Sequence, residues 1–282
     1  RDSINAVGLN SLVFNSARAV GPALAGLLFL LASAAKPLLP DGANPVTVGA
    51  TACFVLNALS FVAVLRALRG IPEPRSKPPV AGSIWDGLRY LRDRPAMGGV
   101  VVLTFVVCAL AWPVITVLPA YTRLRLNLSE GAYSLLLSAL GAGALCAALA
   151  TATFGSVSRR GTFLLLGLAA SACGLVGLSF AQNEWLAGAC CLVTGFGLIL
   201  YLSTGQSALQ LAVPDEVRGR VMALWAMTLS ASAPLGHLIA GEAVTRVGVG
   251  PVLLGMGCGV ALVTAALGVL LGFRRVGSAH QR

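Results

Sequence analysis

Long apolar stretches separated by short polar segments dominate the pattern of this chain. A helix that crosses a bilayer needs about 20 mostly apolar residues, and eight stretches meet that requirement. The pattern therefore predicts eight membrane-spanning helices. Their expected bounds are Ser11–Ala35, Pro45–Leu65, Met97–Ala120, Gly131–Gly155, Thr162–Ala181, Trp185–Val213, Met222–Arg246 and Pro251–Phe273.

One longer hydrophilic stretch, residues 70–96, separates the first two predicted spans from the other six. It begins with the run IPEPRSKPP, whose prolines exclude a helix. In the run SIWDGLRYLRDRP that follows, Ile84, Trp85, Leu88 and Leu91 recur at spacings of three and four residues, with charged residues around the rest of the helix. This spacing predicts a short amphipathic helix on the membrane surface. The alternative is a plain solvated linker.

Composition supports lipid as the solvent of this protein. Hydrophobic residues make up 57% of the 282 positions and charged residues only 11%, whereas soluble domains carry about 25% charged residues. So few charges cannot cover a water-exposed surface of this size. The expected fold class is therefore an all-α membrane protein, and soluble enzymes and nucleic-acid-binding modules are disfavoured.

The net charge of +10 has two readings, a nucleic-acid partner or basic cytoplasmic loops. An even number of spans places both ends of the chain on one side. Fifteen Lys and Arg residues then fall on that side: Arg1, Arg66, Arg69, Arg75, Lys77, Arg89, Arg92, Arg94, Arg159, Arg160, Arg218, Arg220, Arg274, Arg275 and Arg282. The other side has four: Lys36, Arg123, Arg125 and Arg246. This asymmetry predicts cytoplasmic termini, and no nucleic-acid partner is needed to explain the charge.

The first and seventh spans share a glycine pattern. Gly21-Pro-Ala-Leu-Ala-Gly26 aligns with Gly236-His-Leu-Ile-Ala-Gly241, and the spans that follow each of them also match loosely. The first two spans thus look like the last two. A complete repeat would have six spans in each half, so four spans of the first half are missing from this chain. Internal repeats of this kind are typical of secondary transporters.

Three passages resemble a known family, the major facilitator superfamily, in its bacterial drug- and siderophore-exporter branch. They are Asn15–Gly26 (NSARAVGPALAG), Trp85–Pro95 (WDGLRYLRDRP) and Pro214–Leu224 (PDEVRGRVMAL) with PLGHLIAG after it. Ser156–Gly161 partly resembles a loop motif of the family, but the Asp that the motif contains is absent. The resemblance implies a major-facilitator-type helical bundle. This chain would hold helices five to twelve of twelve, with an N-terminal truncation that removes helices one to four.

The resemblance also divides the chain into regions. Residues 1–69 would be the last two helices of the N-terminal half, and residues 70–96 a cytoplasmic linker with the amphipathic helix. Residues 97–275 would form the C-terminal six-helix half, and residues 276–282 a cytoplasmic tail.

Polar residues inside spans are costly and are functional hypotheses by default. Several recur on single helix faces, and the resemblance places their helices around a central substrate cavity. The candidate cavity residues are Asn15, Arg18, Thr104, Trp112, Gln206 and Gln210. The alternatives are an Arg18 that reaches back to the headgroups, glutamines that only bond neighbouring helices, and a Trp112 that only anchors an interface.

Other positions have structural or gating interpretations. The candidate helix-packing motif consists of Gly21, Pro22, Gly26, Gly236 and Gly241. His237 is the candidate proton site, although a single bonded neighbour would also explain it. The resemblance assigns a cytoplasmic gate to the loop residues Arg159, Arg160, Asp215, Arg218 and Arg220, with Asp215 or Glu216 expected to pair with Arg218 or Arg220. The alternative is that the loop arginines only set the membrane topology.

The expected function is secondary active transport, most simply proton-coupled efflux of small amphipathic molecules such as a drug or siderophore, across a bacterial cytoplasmic membrane. The expected partners are that substrate, H⁺ and the lipid bilayer. The alternatives are a non-transporting scaffold or a permease subunit of a larger complex, and a membrane enzyme is disfavoured. No cofactor or metal is expected, because the cysteines are isolated, His237 and His280 are the two histidines, and no nucleotide motif GxxxxGK[ST] occurs.

Overall fold

The structure is a computed structural model that describes residues 45–70, 83–127, 130–154 and 160–279, with isolated positions between 24 and 40. The first predicted span lies largely outside the described residues. Several predicted site residues also lie outside them: Asn15, Arg18, Gly21, Pro22, Gly26 and Arg159.

Every regular element in the described ranges is an α-helix. The helices are α1 (Pro45–Arg69), α2 (Ile84–Arg92), α3 (Pro95–Ala111), α4 (Val114–Leu124), α5 (Glu130–Phe154), α6 (Arg160–Phe180), α7 (Glu184–Ala212), α8 (Asp215–Val247) and α9 (Val249–Ala279). The prediction of an all-α membrane fold is confirmed for this part of the chain.

Seven described segments are long and apolar enough to cross a membrane, and each overlaps one of the predicted spans after the first. They are Thr47–Arg69, Pro95–Leu124, Ala132–Thr151, Gly161–Phe180, Glu184–Ala212, Glu216–Val247 and Val249–Gly268. The predicted bounds differ from the observed ones by a few residues, because hydropathy marks the apolar part of a helix and not its polar ends.

The third span loses its regular hydrogen bonding at Trp112 and Pro113, although both residues keep right-handed helical dihedral angles. Helix α3 ends at Ala111 and α4 begins at Val114, with Trp112 and Pro113 in a turn between them. Pro113 has no N–H, so the carbonyl of Ala109 loses its usual helical donor. Pro119, in contrast, is accommodated within α4.

The start of α8 is a second difference from the prediction, which had Pro214–Arg220 as a loop. The helix begins at Asp215, directly after Pro214, whose carbonyl accepts hydrogen bonds from the N–H groups of Val217 and Arg218. Acidic residues near the N-terminus of a helix are favoured by its dipole, which explains why Asp215 and Glu216 can begin one.

Helix α7 lies at the centre of the C-terminal part of the molecule. It packs most extensively on α5 and α6, and α9 covers the other side of α6. A second group consists of α3, α8 and the short helix α2, and it joins the first mainly through contacts of α3 and α4 with α9 and α5.

Glycines let α7 approach both of its neighbours at backbone distance. A Cβ atom on Gly195 would collide with the carbonyl of Leu140 in α5, and one on Gly143 would collide with the carbonyl of Leu192 in α7. On the other side, a Cβ on Gly197 would meet the backbone N of Ser171 in α6. Close packing of small residues is what holds helices together in lipid, where no hydrophobic effect acts between them.

Helix α1 stands apart from this bundle. It makes no extensive contact with another described helix, and its apolar side chains are largely exposed, with Phe54 75% accessible. A surface of this kind needs lipid or other membrane helices around it.

Candidate functional site

The break between α3 and α4 is in direct contact with α8. Gly236 of α8 is buried, and a Cβ atom there would collide with the Ala109 carbonyl and lie 2.8 Å from Cγ of Pro113. The glycine therefore packs against the carbonyl that Pro113 leaves without a helical donor. Gly241, the other described glycine of the predicted packing motif, has open space around it. We call the contacts of Ala109, Pro113 and Thr116 with Gly236 and His237 the break junction.

A hydrogen bond crosses the break junction one residue after Gly236. The Nδ1 atom of His237 lies 2.6 Å from Oγ1 of Thr116 in α4. A neutral imidazole with its proton on Nε2 accepts from the threonine hydroxyl, and a protonated one donates to it. The same contact therefore serves both charge states. His237 is partly buried and Thr116 is exposed.

A group of buried polar side chains lies beside the break junction, at the contacts of α3 with α7 and α8. The hydroxyl of Thr104 donates to the Val100 carbonyl at 2.8 Å, so the Tyr201 hydroxyl, 3.0 Å away, donates to Thr104. Cys108 is within hydrogen-bonding reach of Ser232 in α8. All four side chains are at most 2% exposed. Thr104 thus lies inside a helix interface in this conformation and not on an open surface.

The other described cavity candidates are more accessible. Trp112, in the turn between α3 and α4, is partly buried, as are Gln206 and Gln210 on α7. No hydrogen bond joins either glutamine amide to another described residue. An amide at membrane depth must find a partner, so these two side chains are suited to a water-filled or substrate-filled space.

Two residues of this region were not predicted as site residues. Tyr201 is the partner of Thr104, and Trp225 is 2% exposed with its ring 3.2 Å from the position of a Cβ on Gly205. The signal for Tyr201 was present in the sequence. A tyrosine in the middle of a span needs a partner for its hydroxyl, but the sequence does not say which helix supplies it.

The predicted gate residues are only partly described. Arg218 donates from Nη2 to the Val213 carbonyl at 3.0 Å and so joins the end of α7 to the start of α8. Arg220 pairs with Asp86 of α2, which was not among its expected partners. For Arg160 and Asp215 the structure describes the helical backbone but not the side chains.

Helix α2 docks on the start of α8. Asp86 accepts a hydrogen bond from the N–H of Ser83 at 2.9 Å, and Ser83 caps the helix in return, so the two form a capping box. Gly87 is buried, and a Cβ on it would lie 3.1 Å from Cβ of Arg220. A small residue at position 87 therefore brings Asp86 into reach of Arg220.

No group of three His, Cys, Asp or Glu side chains that could hold a metal lies within the part of the chain that the structure describes. What the described residues do offer is hydrogen-bonding capacity at membrane depth: a histidine and threonine at a broken helix, two accessible amides and an indole. Of these side chains, only His237 and Thr116 are brought into contact with each other in the described residues. Each of the groups can bind a polar group of a small molecule.

Comparisons with known proteins agree with this arrangement. A family model described as transmembrane secretion effector, within the major facilitator superfamily, matches residues 1–281. The chain is also similar to the multidrug efflux pump Tap of Mycolicibacterium fortuitum, with 27% identity over 233 residues. That similarity covers 81% of this chain and 54% of the relative, so the match spans about half the length of the pump.

Proposed function

Because this chain belongs to the transmembrane secretion effector family of the major facilitator superfamily, we propose that it is part of a secondary active exporter. The exporter moves small amphipathic molecules, such as a drug or siderophore, out of the cell by alternating access. Protons flowing inward supply the energy. The protein that contains this chain resides in the bacterial cytoplasmic membrane, with the ends of the chain on the cytoplasmic side.

The observation that carries the proposal is the break junction. A spanning helix is interrupted at Trp112 and Pro113 and is packed against Gly236 of α8. In transporters, hydrophobic spans that Gly or Pro interrupts are pointers to the binding site. An interrupted helix also supplies a position at which the two segments can change their relative angle.

The substrate cavity in this proposal is lined by Asn15, Arg18, Trp112, Gln206 and Gln210. The partly exposed indole of Trp112 offers a stacking surface, and the glutamine amides offer donors and acceptors. Thr104 supports the cavity wall through Tyr201. On this view an amphipathic substrate meets one aromatic face and a few polar groups, which is the usual composition of a small-molecule site.

His237 is the proton site in this proposal. It is the ionisable side chain at the break junction, and its bond to Thr116 accommodates both protonation states. Glu242, farther along α8, is already paired with Arg246 at 2.7 Å, which leaves it less suited to carry a proton.

The gate in this proposal lies at the cytoplasmic ends of α6, α7 and α8. Arg159, Arg160, Asp215, Arg218 and Arg220 belong to it, and their contacts would break and re-form as the cavity opens. The bond of Arg218 to the Val213 carbonyl and the pair of Arg220 with Asp86 would be two of these contacts.

The test is export from cells that lack their own drug pumps. The complete reading frame that encodes this chain is expressed, and the intracellular accumulation of ethidium is followed with and without a protonophore. We expect lower accumulation that the protonophore abolishes, and we expect Arg18→Ala to remove the effect while membrane insertion stays normal. Arg66→Ala, a change of the same kind at the end of α1, is the matched control.

Two results would reject the proposal. Accumulation that is the same in expressing and empty cells, across a panel of cationic and anionic amphiphiles, would favour a non-transporting scaffold. Export that is lost when ATP is depleted, and that a protonophore does not change, would favour a permease subunit of a larger complex.

A further inference from the structure

Helix α2 presents an exposed apolar face next to the face with which it docks. Gly87 and Leu91 are buried against the bundle, but Ile84 is 43% exposed, Leu88 47% and Trp85 64%. No other described helix covers these three side chains. A helix with one docked face and a neighbouring apolar exposed face is suited to lie in the membrane interface.

Arginines flank the exposed indole on this helix. At about 100° per residue, Trp85 falls between Arg92 and Arg89 on the helix surface, with Leu88 on the far side of Arg92. Both arginines are exposed. Arg92 contacts the neighbouring Asp93 at 3.6 Å, but both side chains are solvated, and such a pair contributes little. A tryptophan between two arginines is typical of the headgroup level of a bilayer.

An apolar groove of about 280 Å³ runs from this face toward the membrane-spanning helices. It lies between α2, α3 and α8 and is lined by Leu88, Leu91, Val101, Phe105, Leu224, Met227, Thr228 and Ala231. The hydroxyl of Thr228 donates to the Leu224 carbonyl at 2.9 Å, so it presents no unpaired donor to the groove. The groove therefore offers an apolar lining, and Arg92 follows its lining residue Leu88 by one turn on the exposed side of α2.

We propose that α2 and this groove form a binding site for one anionic phospholipid of the bilayer leaflet. Arg89 and Arg92 hold the headgroup phosphate, Trp85 lies against the glycerol region, and one acyl chain fills the groove between α3 and α8. Guanidinium groups match phosphate oxygens in geometry and charge. The inner leaflet supplies anionic lipid that attracts basic segments. The inference needs only the membrane location of the chain and not its transport activity.

Quenching of tryptophan emission by brominated lipid tests the site. The protein encoded by the complete reading frame that contains this chain is reconstituted into vesicles of phosphatidylcholine and phosphatidylglycerol in a 4:1 ratio. In one preparation the phosphatidylglycerol is brominated, and in the other an equal amount of the phosphatidylcholine is brominated. The signal of Trp85 is obtained as the difference from Trp85→Phe.

Two site variants and two matched controls locate the lipid. The double change Arg89→Gln, Arg92→Gln removes the headgroup contacts, and Arg66→Gln, Arg69→Gln removes the same charge from the end of α1. Ala231→Leu fills the groove, whereas Ala226→Leu adds the same volume at an exposed position of α8 outside it.

We expect brominated phosphatidylglycerol to quench Trp85 at least twice as strongly as brominated phosphatidylcholine. This preference should vanish in Arg89→Gln, Arg92→Gln and fall in Ala231→Leu, and it should persist in both controls. Equal quenching by the two lipids, or equal effects of site and control variants, would overturn the proposal. Emission typical of water with no quenching would also overturn it, since α2 would then lie away from the bilayer. Export is not measured, so failure here leaves the proposed function untouched.

Discussion

Asp86 of α2 and Arg220 of α8 form an ion pair, with Oδ2 and Nη1 3.7 Å apart. The side chain of Arg220 is 20% exposed and that of Asp86 is 40% exposed. The same carboxylate also caps its own helix at Ser83. One aspartate thus both starts the short helix that follows the Pro-rich segment and attaches it to the first turns of a spanning helix.

The first prediction concerns this double role. Asp86→Ala should raise the amide hydrogen exchange of Ile84–Arg92 about fivefold, because loss of a cap costs about 1 kcal/mol. Arg220→Gln should have a smaller effect, because partly exposed ion pairs contribute about 0.2–1 kcal/mol. Asp93→Ala is the control, since Asp93 pairs with the exposed Arg92 and follows the end of the helix. Equal exchange in Asp86→Ala and Asp93→Ala would contradict the prediction.

The second prediction concerns the close approach at the break junction. Gly236→Ala should lower the thermal midpoint of the detergent-purified chain, because the new methyl meets Ala109 and Pro113, and overpacking costs about 1–3 kcal/mol. Gly241→Ala should leave the midpoint unchanged or raise it, because the position is open and alanine favours a helix over glycine by about 1 kcal/mol. Thermal unfolding followed by size exclusion measures both. An unchanged thermal midpoint in Gly236→Ala would contradict the prediction, because it would mean that α8 can move away from Ala109 and Pro113 at little cost.

The third prediction concerns the buried hydroxyl pair. Thr104→Val leaves the Tyr201 hydroxyl buried without its acceptor and should cost about 1–3 kcal/mol. Tyr201→Phe should cost less, about 1 kcal/mol, because Thr104 still bonds the Val100 carbonyl. The free energy of unfolding of the two single variants and the double variant is measured by denaturation in mixed detergent micelles. A larger loss for Tyr201→Phe would reverse the donor assignment.

The fourth prediction concerns His237 and depends on the proposed function. His237→Asn keeps a hydrogen-bonding atom near the position of Nδ1 but cannot titrate, so export should lose its response to the pH gradient. Thr116→Val removes the hydrogen bond and keeps the imidazole, so export should retain its response to the pH gradient. Initial export rates in vesicles with imposed gradients distinguish the two variants. A normal pH response in His237→Asn would mean that another residue carries the transported proton.

Much of the fold could be predicted because lipid imposes a length and a composition on each spanning helix. The seven described spans follow from hydropathy alone, and the sequence also predicted a helix at the positions of α2. The interruption at Pro113 follows from its sequence, because proline removes one backbone hydrogen bond, but the sequence does not say which helix covers the freed carbonyl. The start of α8 at Asp215 was missed because its first turns are as polar as a loop.

The candidate site was less accessible to prediction. Periodicity brought Thr104 and Trp112 onto one face of a helix, but it did not say which face meets another helix. Thr104 turned out to be enclosed by Tyr201, 97 residues later in the chain. Arg220 also pairs with Asp86, a partner that the sequence did not indicate, because Gly87 lets two helices touch.

The sequence by itself determined that this chain is a membrane protein, where its spans lie and which residues are costly at membrane depth. These properties depend on the transfer of each residue from water to lipid, which is a local quantity. Only the tertiary structure decided that Gly236 meets the carbonyl of Ala109, that His237 meets Thr116 and that Arg220 meets Asp86. Those pairings depend on how helices distant in sequence pack, and in lipid that packing is set by the shape of small residues and by single hydrogen bonds.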